Sequence, residues 1–349
     1  MAESPSEARD PARSGVDPHE MAPHYYGGQA VIEGVMMRGA TTWAVAVRRP
    51  AGEIYLECND VSDFPERHPI FKKPMLRGVF ALGDALSIGM KALSISASQS
   101  LGEEEEELPS AAMGASMLLA FVVFIGIFIV LPSAGVKLIF PSSLGDGALF
   151  HLVESFARIL IFLGYLWAIS FIADIRRVFQ YHGAEHKTIA AWEHGEPLDP
   201  ETVDRYSTLH VRCGTNFLIM VMILALIVYT VAGTIVQPPE GASLLVAIAY
   251  HVLLRIVLLP VVAGLAYEGL RLGAAKGDNP IVKGLMKPGL WLQLITTKPP
   301  EREQIEVAIR AFEAVVPEEH RVGRIPELPS PIVVGPGAGG AEAVGQTGT

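Results

Sequence analysis

The 349-residue sequence has little charge and almost no cysteine. Only 18% of its residues are charged, where a soluble domain carries about 25%. Its two cysteines, Cys58 and Cys213, do not make a disulfide framework, so a reducing compartment is allowed. No basic stripe is present, and nucleic acid is excluded as an expected partner. The net charge of −10 says little about partners, because several of the acids sit in the run 103–107 and in the tails. Residues 1–23 also lack the basic-then-apolar pattern of a signal peptide, so insertion is expected to use an internal helix. What the sequence does have is hydrophobic length. Half of its residues are hydrophobic, mean hydropathy is +0.36, and the excess lies in runs that a soluble core could not use.

The predicted fold is an α-helical multi-pass membrane protein of about four transmembrane helices, with a small cytosolic N-terminal β-rich/α segment. Residues 1–23 read as a disordered tail. In residues 24–110, short β-prone runs at 30–37, 42–48 and 53–57 are separated by turns at Gly39-Ala40 and Pro50-Ala51-Gly52. An amphipathic helix is expected over 73–99, with Leu76, Val79, Phe80, Leu82, Leu86, Met90 and Leu93 on its apolar face, followed by an acidic linker at 103–107. The membrane domain covers 111–272, with spans at 111–131 (ended by Pro132), 149–173, 217–236 and 244–270, the last kinked near Pro260. A C-terminal segment, 273–321, carries an amphipathic helix over 300–316 on which Ile305, Ala308, Ile309, Phe312 and Val316 share a face, and 322–349 reads as disordered.

Lysine and arginine set the orientation. The loop 174–216 holds Arg176, Arg177, Lys187, Arg205 and Arg212, and the segments flanking the membrane domain add more, whereas the two opposite loops offer only Lys137. Both termini and the 174–216 loop are therefore expected to be cytosolic, in a bacterial-type cytoplasmic (inner) membrane, with the lipid bilayer as the immediate partner.

The residues that could carry chemistry gather at that face. His182-Gly183-Ala184-Glu185-His186 follows the second span. On a helix, positions four apart share a face, so His182 and His186 can present two imidazoles to one metal, with Glu185 beside them as a general base. The alternative is a set of polar residues capping a helix at headgroup level. His210-Val211-Arg212-Cys213-Gly214-Thr215 precedes the third span, and His210 and Cys213 are plausible ligands for zinc or another divalent metal. Glu268, at the cytosolic end of the fourth span, lies in the range where metallopeptidases with the inverted H-x-x-E-H motif take a third ligand. Its simpler reading is an interfacial carboxylate paired with Arg271.

Two further features stand out. Arg255 falls about a dozen residues into the fourth span, where a lone charge is costly. Glu154, paired i,i+4 with Arg158, is a candidate partner in an interhelical clamp, a reading favoured over a transport pathway. The stretch from Gly27 to Gly39 has four glycines but no strand–GxGxxG–helix context and no P-loop lysine, so nucleotide binding is not supported. Glu33 and Arg38 within it either pair with each other or face the cytosolic cluster.

The motifs GGQAVIEGVMMRG, RGVFALGDALSIGMKALSISASQ, YHGAEHKTI, YSTLHVRCGT, LLPVVAGLAYE and PGLWLQLITT together resemble the YqhQ family of uncharacterised membrane proteins, the domain of unknown function numbered 1385. That family usually has Pro in place of Val211, a departure that touches turn rigidity and not the candidate ligands. The resemblance implies a metal-dependent enzyme. Two functions follow as expectations: a metal-dependent, zinc-type hydrolase at the cytosolic membrane face, acting on a lipid or a membrane-protein segment, or a non-enzymatic scaffold or biogenesis factor whose polar cluster is structural. Four spans without internal repeats leave little room for a transporter.

Overall fold

The computed structural model describes residues 26–101, 110–140, 147–210, 213–239, 241–275, 279–317 and 330–336. The N-terminal tail, the acidic run 103–107, Val211 and Arg212 fall outside these residues. A five-stranded sheet runs in the order β1 (Gly27–Val31), β2 (Gly34–Arg38), β3 (Thr42–Arg48), β4 (Ile54–Asp60) and β5 (Ile332–Val334). The first four strands form an antiparallel meander, and β5 adds in parallel to the edge of β4. Val35, Met37, Ala44, Ala46 and Ile54 point to one face, and Met36, Trp43, Val45 and Val47 to the other. Both faces are covered, which is why β2 and β3 read as continuous apolar runs and not as a clean alternation.

The run 30–37, expected as one strand, folds back at Ile32–Glu33, so that Val31 pairs with Gly34. The turn places Glu33 in the left-handed region at φ 51°, a conformation rarely adopted without support. Its carbonyl accepts from the Arg48 amide at 2.8 Å. Its carboxylate is gripped by Arg177 and accepts from the Tyr181 hydroxyl at 3.2 Å. Arg38 does not pair with Glu33 but with Asp84, at 2.6 Å.

The sheet unit is assembled from three distant parts of the chain, so residues 24–110 do not form a unit of their own. A four-residue helix, α1 (Phe64–Arg67), leads into α2 (Leu76–Ser100), whose Ile88 and Ala92 cover one face of the sheet. The other face is covered by α6 (Ala173–Glu193) and α11 (Arg302–Glu313), with the short α7 (Pro200–Asp204) beside them. Most of the expected loop 174–216 is therefore helix. Within the tail expected to be disordered from 322, Ile332–Val334 forms β5, because the edge of β4 leaves backbone groups to pair: Ile54 N donates to Pro331 O and Gly335 N to Leu56 O.

The apolar part is a bundle of α3 (Ser110–Ile125), α4 (Leu131–Ile139), α5 (Ala148–Ile169), α8 (Gly214–Ile235) and α9 (Leu244–Ala275), which runs on through Pro260. Among the described residues five helices are long and apolar enough to cross a membrane. Four correspond to the expected spans, and the fifth is α2, expected only as an amphipathic helix. The first span does not stop at Pro132. A π-helical turn over Gly126–Val130 joins α3 to α4. Pro132 cannot donate to the Phe128 carbonyl, and Arg158 Nε supplies the missing bond at 2.8 Å.

Arg158 also reaches Glu154 at 2.5 Å. From α9, Arg255 bonds the other oxygen of Glu154, and its Nη1 lies 3.1 Å from Ser133 Oγ on α4. Ser133 in turn donates to Glu154 at 2.6 Å. The Arg255–Glu154 pair read from the sequence is thus a buried knot joining three helices.

Candidate metal centre

Helix α6 is buried from Gly183 to Trp192 because it is packed between the sheet, α11 and α7. The H-x-x-E-H motif therefore lies inside a packed unit and does not cap a helix end. His182 and His186 sit one turn apart, their rings 4.4 Å centre to centre. Each ring is oriented by a main-chain carbonyl. His182 Nδ1 lies 2.8 Å from Thr296 O, at the end of α10 (Pro280–Thr296), and His186 Nδ1 lies 2.5 Å from Thr208 O. A carbonyl only accepts, so both Nδ1 atoms carry protons and both Nε2 atoms present lone pairs. Those lone pairs meet Cys213, the N-cap of α8, whose Sγ lies 3.2 Å from His182 Nε2 and accepts from Thr215 N and Thr215 Oγ1.

One ligand atom from each of His182, His186 and Cys213 lies within 4.8 Å of the other two, the one such grouping among the described residues. Around a tetrahedral zinc, bonds of about 2.0–2.3 Å put neighbouring donors roughly 3.3–3.6 Å apart. The 3.2 Å between His182 Nε2 and Cys213 Sγ is close to that spacing. His186 Nε2 is buried with no hydrogen-bond partner, and burial lowers the pKa of this ring, keeping it neutral. Three donors of the kind zinc prefers, two with fixed tautomers and one with an unused lone pair, fit a metal with an open fourth position.

The remaining expected ligands are placed otherwise. His210 flanks the group, its ring 5.7 Å from that of His186, but its Nε2 pairs with Glu193 at 3.1 Å. Glu268 is not in the group. Its carboxylate accepts from the Met75 amide at 3.1 Å and is held by Arg77, which is its partner in place of Arg271.

The family described as "Protein of unknown function (DUF1385)" matches residues 73–318. The "Uncharacterized protein YqhQ" of Bacillus subtilis (strain 168) is 38% identical over 308 residues, 83% of this chain and 92% of YqhQ. The chain belongs to the DUF1385 family. No solved structure matches it.

In this DUF1385 protein, Glu185 comes from the same turn of α6 as the two histidine ligands, but its carboxyl faces β1 and lies outside the ligand group. It is buried, the Gly28 amide donates to it, and its Oε2 has no partner. Burial pushes its carboxyl above the usual range, against the pull of His182 and His210. Gly28 was legible only as one of several glycines, and its importance is spatial. A Cβ there would stand 2.6 Å from Met36 O and 2.9 Å from Glu185 Cδ. Gly28→Ala is expected to lower unfolding free energy by about 1–3 kcal/mol, read as a drop in melting temperature in detergent. An unchanged melting temperature would mean that β1 does not press on Glu185.

Sequence reasoning also missed the residues that aim the ligands. Thr208 and Thr296 act through carbonyl oxygens, which leave no trace in side-chain chemistry. Gln293, fully buried, clasps the His210 backbone from both sides, accepting from its N at 2.9 Å and donating to its O at 2.8 Å. Their one signal was membership of the motifs YSTLHVRCGT and PGLWLQLITT.

Proposed function

We propose that this DUF1385 protein is a membrane-embedded, zinc-type metal-dependent hydrolase working at the cytosolic face. The reading rests on the convergence of His182 Nε2, His186 Nε2 and Cys213 Sγ, with both imidazoles oriented by carbonyls. A bound zinc would supply a water of lowered pKa as a nucleophile near neutral pH. His182, His186 and Cys213 would hold it, and Glu185 Oε2 would take the proton of that water. A carboxyl whose pKa is raised by burial is the better matched to that task. His210, braced by Glu193 and Gln293, stands at the rim, where it could hold a substrate's polar group.

Four spans cross the bilayer in this reading, and α2 lies on the sheet. Its contacts with Trp43, Val45 and Val47, its Asp84–Arg38 ion pair and the Arg49–Gln99 hydrogen bond at 2.8 Å all belong to the sheet unit. By the distribution of lysine and arginine, that unit and both termini would lie on the cytosolic side. A site so close to the spans would act on a lipid or a juxtamembrane protein segment. Glu185 Oε2 and His186 Nε2 are buried without a hydrogen-bond partner of their own, which leaves both atoms free for a metal and its water in this reading.

Elemental analysis of protein purified in detergent tests the reading. About one zinc per chain is expected, falling to background in the double variant His182→Ala, His186→Ala. No stoichiometric metal, or metal untouched by that double replacement, would overturn it.

A further inference from the structure

Helix α10 has two unlike faces. The inner one holds Leu292, Gln293 and Thr296, all buried, and Gly289, where any Cβ would run into Asn216 of α8. This face carries the groups that orient His182 and grip the His210 backbone. The outer face is a stripe at helical spacing: Lys287, Trp291, Leu294 and, just beyond the helix, Lys298. Trp291 is 65% exposed and Leu294 60%, and Lys298 Nζ folds back onto Leu294 O at 3.2 Å.

An exposed indole beside an exposed leucine, flanked by lysines, is poorly placed in water and well placed in a headgroup layer. At 17 residues, α10 is not among the helices long enough to span. It packs against α8 and α5. The end of α5 carries Trp167, 60% exposed, and Phe171 and Ile172, also exposed, follow it. The outer stripe of α10 thus belongs to a helix that packs on a span whose end also exposes aromatic and apolar side chains. Trp43 and Trp192, by contrast, are buried in the sheet unit.

We propose that α10 is an interfacial helix whose Lys287–Trp291–Leu294–Lys298 stripe docks into the headgroup layer of an anionic bilayer. The inference stands whether or not the centre behind it holds metal. It sets the depth of that centre, because the same helix carries Gln293 and Thr296.

The test uses the full chain with Trp167→Phe, which leaves Trp291 as the one strongly exposed tryptophan of the described residues. It is reconstituted in phosphatidylcholine vesicles brominated on the acyl chains, with or without phosphatidylglycerol. Emission should be quenched, and adding Trp291→Phe should remove the quenching while the buried Trp43 and Trp192 signal persists. Leu294→Asn, which leaves Trp291 in place, should weaken it. Phosphatidylglycerol should deepen the quenching, and Lys287→Glu with Lys298→Glu should abolish that gain, at about fivefold in docking per lysine. Quenching that is absent, or unchanged by Trp291→Phe, overturns the proposal. So does emission that ignores brominated lipid but follows protein density, which would assign the face to a second copy of the chain.

Discussion

Glu154→Leu is expected to lower the unfolding free energy by about 3–5 kcal/mol, the range for removing one partner of a buried ion pair. The carboxylate serves two guanidinium groups and a hydroxyl at once: Arg158 from its own helix, Arg255 from α9 and Ser133 from α4. Without it, two cations remain among the spans with no anion between them, and each must find water or drag lipid headgroups inward. Glu154→Gln keeps an acceptor and should cost less. Arg255→Met in that background should restore part of the loss, because the cation left unpaired is then gone. The measurement is a thermal or denaturant melt in detergent for the two single variants and the double, read as a double-mutant cycle. Strict additivity would dissolve the clamp into independent contacts. Arg158 is a poorer site for such a test, since its Nε also satisfies the Phe128 carbonyl that Pro132 leaves open.

How much of this was readable in advance depended on the range of the interaction. The four apolar runs were long enough to be read directly, and the i,i+4 spacing of His182 and His186 follows from helix geometry alone. Placing Cys213 with them needed only the topology of two neighbouring spans. Errors came where the partner was distant or was backbone. Position along the chain makes Glu268 a candidate ligand or a partner of Arg271, yet it meets Arg77, 191 residues away. Pro132 reads as a terminator because the arginine that repairs the helix lies one span further on. The turn at Ile32–Glu33 has no glycine or asparagine at its left-handed position, and its supports, Arg48, Arg177 and Tyr181, all lie on other elements. β5 was hidden in a Pro/Gly-rich tail, because three residues gain a strand's conformation only from the edge they dock on.

The candidate centre joins two parts of the molecule. His182, Glu185 and His186 belong to the sheet unit, and Cys213 is the N-cap of a bundle helix. A metal held by both would tie them together, so its binding free energy would appear as stability of the whole. Zinc added to the metal-stripped protein is thus expected to raise the melting temperature, by a margin corresponding to about 3–4 kcal/mol at free zinc some hundred- to a thousandfold above its dissociation constant. Cys213→Ser should erase most of that rise, since a hydroxyl is a far poorer zinc ligand than a thiolate.

Glu185→Gln separates the base from the ligands. It should leave the zinc-dependent rise intact, because Glu185 is outside the ligand group. In the metal-free protein it should itself be stabilising at neutral pH. Burial raises the carboxyl's pKa in the folded state, so the folded form holds its proton more tightly than the unfolded chain. Wild-type stability then falls as pH rises above the ordinary carboxylate range, and the amide escapes that loss at about 1.4 kcal/mol per tenfold change in acidity. A melting temperature indifferent to zinc in the wild type would count against the metal centre. A zinc response lost in Glu185→Gln would make Glu185 a ligand and leave the proposed hydrolysis without its base.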